Sequence, residues 1–285
     1  MRRRFIITAI AALAGLVSVG QAPVTGQQPG PSARYTPAPG ARDAKAVLFN
    51  WAWYMGMLRG PQEIEAVATL EHKASGTVQV SGQPCTLTAY RVSTNYQLTG
   101  QRIQYTCTRP NGQQHKAIEV VSGQFAWDED IAGAELTPGK GKATPNQAAL
   151  HERLIRLWAG PQGAPKAAAA GGEKTTVSHD TGKTIVTYPI PGVPGAIARA
   201  TLSPRNMAER VEVRQGNVVT EFTYANYADY NSPLNKVDAL YAGTLVEKRN
   251  GAVSRDLKTI ETETGNVYVV MPVPPSVRKA AAAQR

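Results

Sequence analysis

The residues that could do chemistry are few, and their spacing decides what chemistry is open to them. Four histidines, His72, His115, His151 and His179, stand apart, in no HExxH or HxH pair and at no carboxylate spacing that would place two ligands on one metal. They read as surface or hydrogen-bonded strand residues. Asp128, Glu129 and Asp130 form a short acidic run after Trp127. Such a run can offer oxygens to calcium, but the ligand order of an EF-hand loop is missing, so a solvated turn is expected. No GxSxG, SxxK or glycine-rich strand-to-helix loop occurs. The expectation is a non-enzyme with no catalytic residue, no metal ligand and no cofactor. The alternative is a secreted hydrolase using Asp128 or Glu129 as acid and base, because paired carboxylates meet only in space.

Two cysteines, Cys85 and Cys107, are accompanied by no histidine and no CxxC spacing, so a reactive thiol lacks support. The runs CTLTAYRV and QRIQYTC flank a polar turn, Ser93 to Gly100. Folding them antiparallel about Asn95 and Tyr96 brings the two sulfurs together, and a structural disulfide is predicted. Aromatic residues are the remaining candidates: Trp51, Trp53, Tyr54, Trp127, Trp158, Tyr224, Tyr227 and Tyr230 either line an apolar cavity or build the core. Tyr224, Tyr227 and Tyr230 recur every third residue, which suits no single face of a strand, so a strand exit or bulge is expected there.

These candidates sit in a chain that opens as an export signal. Arg2, Arg3 and Arg4 precede an apolar run from Phe5 to Val17 and the small residues Ser18 and Gly20. The run is short of the roughly 20 residues a permanent span needs. Residues 1–20 are therefore read as a signal peptide cleaved after Gly20, leaving no transmembrane segment and a periplasmic or secreted protein. The sequence leaves open whether the Sec or the twin-arginine route is used. Removing the three leader arginines leaves 28 basic residues against 21 acidic, a net +7. Those charges are scattered rather than clustered with aromatics, which argues against a nucleic-acid partner. Residues 21–41, rich in Pro, Gly and Gln, are read as a disordered linker, 42–272 as a single antiparallel β-rich domain, and 273–285 as a disordered C-terminal tail.

The domain opens with a helix. Ala44, Val47, Leu48, Trp51, Met55 and Leu58 recur at helical spacing behind Asp43 as cap, with Gly60-Pro61 as the stop. Glu63 to His72 could add a turn or two. From Gly76 the period becomes two, and short strands divided by Gly82, Gly100, Asn111-Gly112 and Gly123 specify an antiparallel meander. A second helix follows, with Thr144 as cap, Pro145 at its first position, Gln147 completing a capping box and Gly160-Pro161 ending it. Leu150, Leu154, Leu157 and Trp158 share its inner face, while Glu152 and Arg156 are expected on a wet outer side. GAPKAAAAGGEK is a short helix or a loop. A second run of strands extends from KTTVSH to NVYVVMP, with turns at Thr181-Gly182, Gly216-Asn217, Asn250-Gly251 and Gly265-Asn266. The fold class is mainly β (α+β): a large curved antiparallel sheet or incomplete barrel with two or three helices packed on or inside it.

The order of export signal, apolar helix, meander ending in SGQFAWDE, capped helix and second strand run with YANYADY resembles the periplasmic outer-membrane lipoprotein carrier (LolA/LolB-like) superfamily, and looks most like its exported members. The resemblance implies a half-barrel around an apolar cavity closed by helices, with a lipid or lipoprotein acyl chain as ligand. It assigns no ligand-binding residue here. The length and the paired cysteines set the chain apart from a simple carrier, and a structural component of the cell envelope with an envelope protein as partner is the alternative.

Overall fold

The computed structural model describes residues 42–59, 64–235 and 238–283. The expected leader and linker lie outside the described residues. Helix α1 (Ala44–Tyr54) and a short pair, β1 (Leu58–Arg59) and β2 (Ile64–Glu65), lead into the first meander. That meander comprises β3 (Thr69–Val80), β4 (Gln83–Asn95), β5 (Gly100–Thr108), β6 (Gln114–Ser122), β7 (Phe125–Glu129) and β8 (Ala143–Pro145). Helices α2 (Leu150–Ala159) and α3 (Gly163–Ala170) follow. The second run holds β9 (Thr176–Asp180), β10 (Lys183–Pro189), β11 (Ile197–Leu202), β12 (Ala208–Gln215) and β13 (Val218–Ala225). It closes with β14 (Thr244–Arg249), β15 (Ala252–Thr264) and helix α4 (Pro275–Ala282).

Among the described residues β3 to β15 form one antiparallel sheet of 13 strands in the order β8-β7-β6-β5-β4-β3-β15-β14-β13-β12-β11-β10-β9. The chain meanders outward to β8, crosses to β9 at the far edge, and returns inward until β15 pairs with β3. The crossing segment carries α2 and α3, so these helices must traverse one face of the sheet. Helix α2 packs against β5, β6 and β7 on one side and β12 on the other. Strands β6 and β12 are seven places apart in the sheet, which is about 34 Å at about 4.8 Å per step. A helix is only about 10–12 Å across. The sheet therefore wraps around α2 as an open half-barrel, as its expected class required.

Local signals hold where they act locally. Asp43 caps α1, accepting from the Ala46 N–H at 2.9 Å. Thr181-Gly182 and Asn250-Gly251 have positive φ at both positions, the primed turns that suit tight hairpins. Val211, Val213, Thr220, Phe222 and Tyr224 all face inward and are buried. Cys85 and Cys107 are joined, with Cα atoms 5.5 Å apart. The ladder sets Cys107 opposite Leu87, so the bridge runs diagonally between β4 and β5.

Four expectations are corrected. Helix α1 stops at Gly56 (φ +69°), where a Cβ would lie 1.8 Å from the Asp238 carbonyl oxygen, so the chain turns before Gly60-Pro61. Residues 64 to 72 form β2 and the start of β3 rather than helical turns. Thr144 caps nothing: it lies in β8 opposite Asp128, Gln147 reaches back to the Gln124 carbonyl, and α2 begins only at Leu150 without a side-chain cap. Strand pairing continued past the local helix signal because the Asn146 N–H bonds to the Ala126 carbonyl and extends the ladder.

The fourth correction concerns the C-terminus. NVYVVMP is an extended strap rather than a strand, with Val269 and Met271 buried against the outer face and the Asn95 amide donating to the Val269 carbonyl at 2.9 Å. The expected tail then forms α4, whose Val277 packs with Ile118, Val120 and Trp127. Proline suits the first turn of a helix, and Ser276 ties α4 to Glu135, its hydroxyl donating at 2.8 Å. This apolar surface of β6 and β7 would otherwise face water.

Candidate functional site

The concave face of the half-barrel does not pack tightly under α2. Leu70 and His72 from β3, Tyr90, Val92 and Thr94 from β4, and Gln101 and Ile103 from β5 face Phe222, Leu245 and Leu257 across a small chamber. Arg156, Leu157, Gly160 and Pro161 at the end of α2 roof it, and Tyr241 closes one side. Its free volume is about 40 Å³, room for roughly three waters. One end of the buried Gln101 amide reaches the Thr94 hydroxyl at 3.2 Å while the other has no hydrogen-bond partner among the described residues.

A buried ionic cluster borders the chamber. Arg156 donates from Nε and Nη2 to both oxygens of Glu247, at 3.0 and 3.1 Å, and lies 3.5 Å from Glu119. Arg255 donates to Glu119 at 3.1 Å and to the Tyr90 hydroxyl at 3.1 Å, with Glu247 3.6 Å from its Nε. Burial by itself would raise the Glu247 carboxyl, but the two arginines outweigh it and hold the group at about 2. Glu119 is lowered by the same contest. Burial works against the charge of Arg156, yet Glu247 and Glu119 win and raise it. Of the two residues expected on the wet side of α2, Glu152 is there, its side chain 43% exposed, but Arg156 is not: its side chain is 10% exposed, because the wrapped sheet covers that end of the helix.

His72 is fully enclosed between Tyr241 and Tyr90, with ring centroids 4.7 and 6.1 Å away. Its Nε2 lies 3.1 Å from the Thr259 hydroxyl, which itself donates to the Ala242 carbonyl at 2.6 Å. The single hydroxyl hydrogen is thus committed, so His72 must donate from Nε2. Burial lowers its pKa to about 3, and the ring is neutral near pH 7. Among the described residues that line this chamber no nucleophile lies beside a base. Its arginines and carboxylates neutralise one another, and what remains is an apolar lining with a few polar anchors.

Apart from His72, which lines the chamber, the candidate residues singled out by sequence lie elsewhere. Trp51 is wholly buried, Trp53 stacks on Phe49 with centroids 5.8 Å apart, and Tyr54 is exposed. Trp158 packs near Tyr96, and Trp127 supports the outer cluster. Tyr224, Tyr227 and Tyr230 donate to the carbonyls of Ala159, Ala208 and Asn226. Strand β13 ends at Ala225 and Asn226 has φ +58°, so the threefold tyrosine spacing does mark a strand exit. Glu129 accepts from Arg102, the Trp127 indole and the Gly133 N–H, while Asp128 accepts from Arg153 and Asn146. His115, His151 and His179 lie near Tyr105, Gln215 and Thr184 respectively.

Sequence reasoning missed Glu119, Arg156, Glu247 and Arg255. A signal did exist: in TLVEKR and AVSRDL the alternation that points Leu245 and Leu257 inward also points Glu247 and Arg255 inward. A charge at an inward position asks for a buried partner.

Fold and chamber together define the class: an open antiparallel half-barrel filled by helices, with an ion-paired chamber at its centre. No protein-family model and no curated protein matches the chain. Among solved structures it is similar to a domain provisionally named for outer membrane lipoprotein sorting, from Vibrio parahaemolyticus, at 12% identity and a TM-score of 0.44, over 85% of this chain and 100% of that one. It is also similar to a DUF1329 family protein from Desulfovibrio piger, at 5% identity and a TM-score of 0.40, over 81% of this chain and 96% of that one.

Proposed function

We propose that this chain is an exported, non-enzymatic binding protein that takes an apolar ligand, a lipid or the acyl chain of a lipoprotein, into the concave side of its half-barrel. The observation that carries the reading is the chamber itself, where Leu70, Val92, Ile103, Phe222, Leu245 and Leu257 face α2 without filling the space between. Its volume of about 40 Å³ is far below the roughly 300–1,000 Å³ of ligand sites. The ligand therefore enters by displacing the end of α2 about Gly160 and Pro161. That helix is held over the chamber by side chains rather than by a β-ladder, and buried ion pairs such as Arg156–Glu247 position an element more than they cement it. The leader-like N-terminus and the Cys85–Cys107 bridge fit an oxidising compartment, the periplasm or the exterior.

The small chamber also favours a second reading, a structural or interaction component of the cell envelope whose core never opens. Native mass spectrometry with organic extraction of protein taken from the native compartment separates the two. A stoichiometric lipid mass supports the carrier reading; a clean apo mass with a bound envelope protein overturns it.

A further inference from the structure

The outer face carries a second hollow that has nothing to do with α2. Two strand irregularities create it. Thr88 is an extra residue in β4 between Leu87 and Ala89, and Ile260 is an extra residue in β15 between Thr259 and Glu261. Between them Gly76 of β3 has φ +129°, and a Cβ there would sit 2.0 Å from the Asp256 carbonyl oxygen, so β3 and β15 approach more closely than side chains allow. Bulges bend strands and increase their twist. The sheet consequently folds away from its outer surface and leaves an open trough of about 450 Å³, within the size range of small-molecule sites.

The trough has two chemistries. Ala89, Ile118 and Ile260 supply apolar surface, and Ile260 stands 61% exposed at the point where the β15–β3 register shifts. Lys73, Arg91 and Lys116 also line it. Two of these cations are matched, Lys73 by Glu261 at 2.7 Å and Arg91 by Glu71 at 3.1 Å. Lys116 is exposed and forms no ion pair among the described residues.

We infer that this trough binds a fatty acid, its chain along Ala89 and Ile260 and its carboxylate at Lys116. The size admits one extended chain, and the unmatched ammonium selects an anionic head over a cationic one. This site lies on the other face of the sheet from the chamber under α2, with Tyr90 bordering both.

The test is calorimetric titration of the mature protein with dodecanoate and, as a head-group control of equal chain length, dodecylamine. One dodecanoate is expected to fill the trough, in a step at least about tenfold tighter than that of the amine. Ala89→Trp, at an exposed position, should abolish that binding, and Lys116→Glu should weaken it about fivefold or more. Lys174→Glu, which reverses an exposed charge between α3 and β9 away from the trough, should leave it unchanged. Circular dichroism checks that each variant folds, and Ile260→Ser at the exposed bulge replaces Ala89→Trp if that variant does not. Absence of stoichiometric dodecanoate binding, equal affinity for both heads, or binding indifferent to the Ala89 and Ile260 substitutions overturns the inference.

Discussion

Replacing Arg156 with methionine would test whether the ionic cluster positions α2. The substitution keeps the side-chain volume and removes the charge, leaving Glu247, whose side chain is 4% exposed, with Arg255 at 3.6 Å as its nearest cation. Breaking a buried pair in this way costs about 3–5 kcal/mol, because the surviving charge stays desolvated. The pH dependence supplies an independent magnitude. Glu247 moves from 4.5 to about 2, and a shift of that size corresponds to about 3 kcal/mol. The pKa is lowered in the folded state, so this stabilisation is fully present above pH 4.5 and is lost as pH falls towards 2. Urea unfolding at pH 7 should place Arg156→Met about 3–5 kcal/mol below the parent. The gap should narrow as pH drops below 4.5, since protonation relieves the stranded Glu247 while the parent loses its pair. The double variant Arg156→Met/Glu247→Leu should recover most of the loss and flatten the acid limb. A single variant within about 1 kcal/mol of the parent at pH 7, or a gap that widens on acidification, would refute this account of the cluster.

Two further outcomes follow from local geometry. Reducing the Cys85–Cys107 bridge, or replacing both cysteines with serine, should lower stability by about 3 kcal/mol for a loop of this span, read from the midpoint and slope of urea unfolding together, because the freed unfolded chain expands. Gly56→Ala should cost more than about 2 kcal/mol, since it combines positive φ with a Cβ 1.8 Å from a backbone oxygen. Gly182→Ala, with positive φ but open space, should cost only about 1 kcal/mol, and equal losses at the two glycines would remove the steric argument.

The strands and their turns were legible because their causes lie within a few residues. The Asn250-Gly251 pair needs only its own backbone freedom to reverse the chain, and Asp43 needs only the amide three residues on. The misreadings share a different cause. Thr144, Pro145 and Gln147 form a sound capping signal, yet β8 wins because β7 lies beside it to pair with. The strap and α4 could not be read from Gly265 onward because their stability comes from Ile118, Val120 and Trp127, more than a hundred residues earlier. Helix α1 ends where Asp238 leaves no space, a contact across the whole chain.

By itself, then, the sequence determined where strands begin and reverse, that the sheet is antiparallel and too large to stay flat, and that Cys85 meets Cys107 within one hairpin. Only the tertiary structure decided which residues share the chamber. Glu247 and Arg255 are ladder partners across the β14–β15 hairpin, but Glu119 and Arg156 come from β6 and α2, and no local rule brings them to that pair. They meet because the crossover from β8 to β9 must span the sheet, and a sheet wrapped around one helix brings distant inward positions to a common centre.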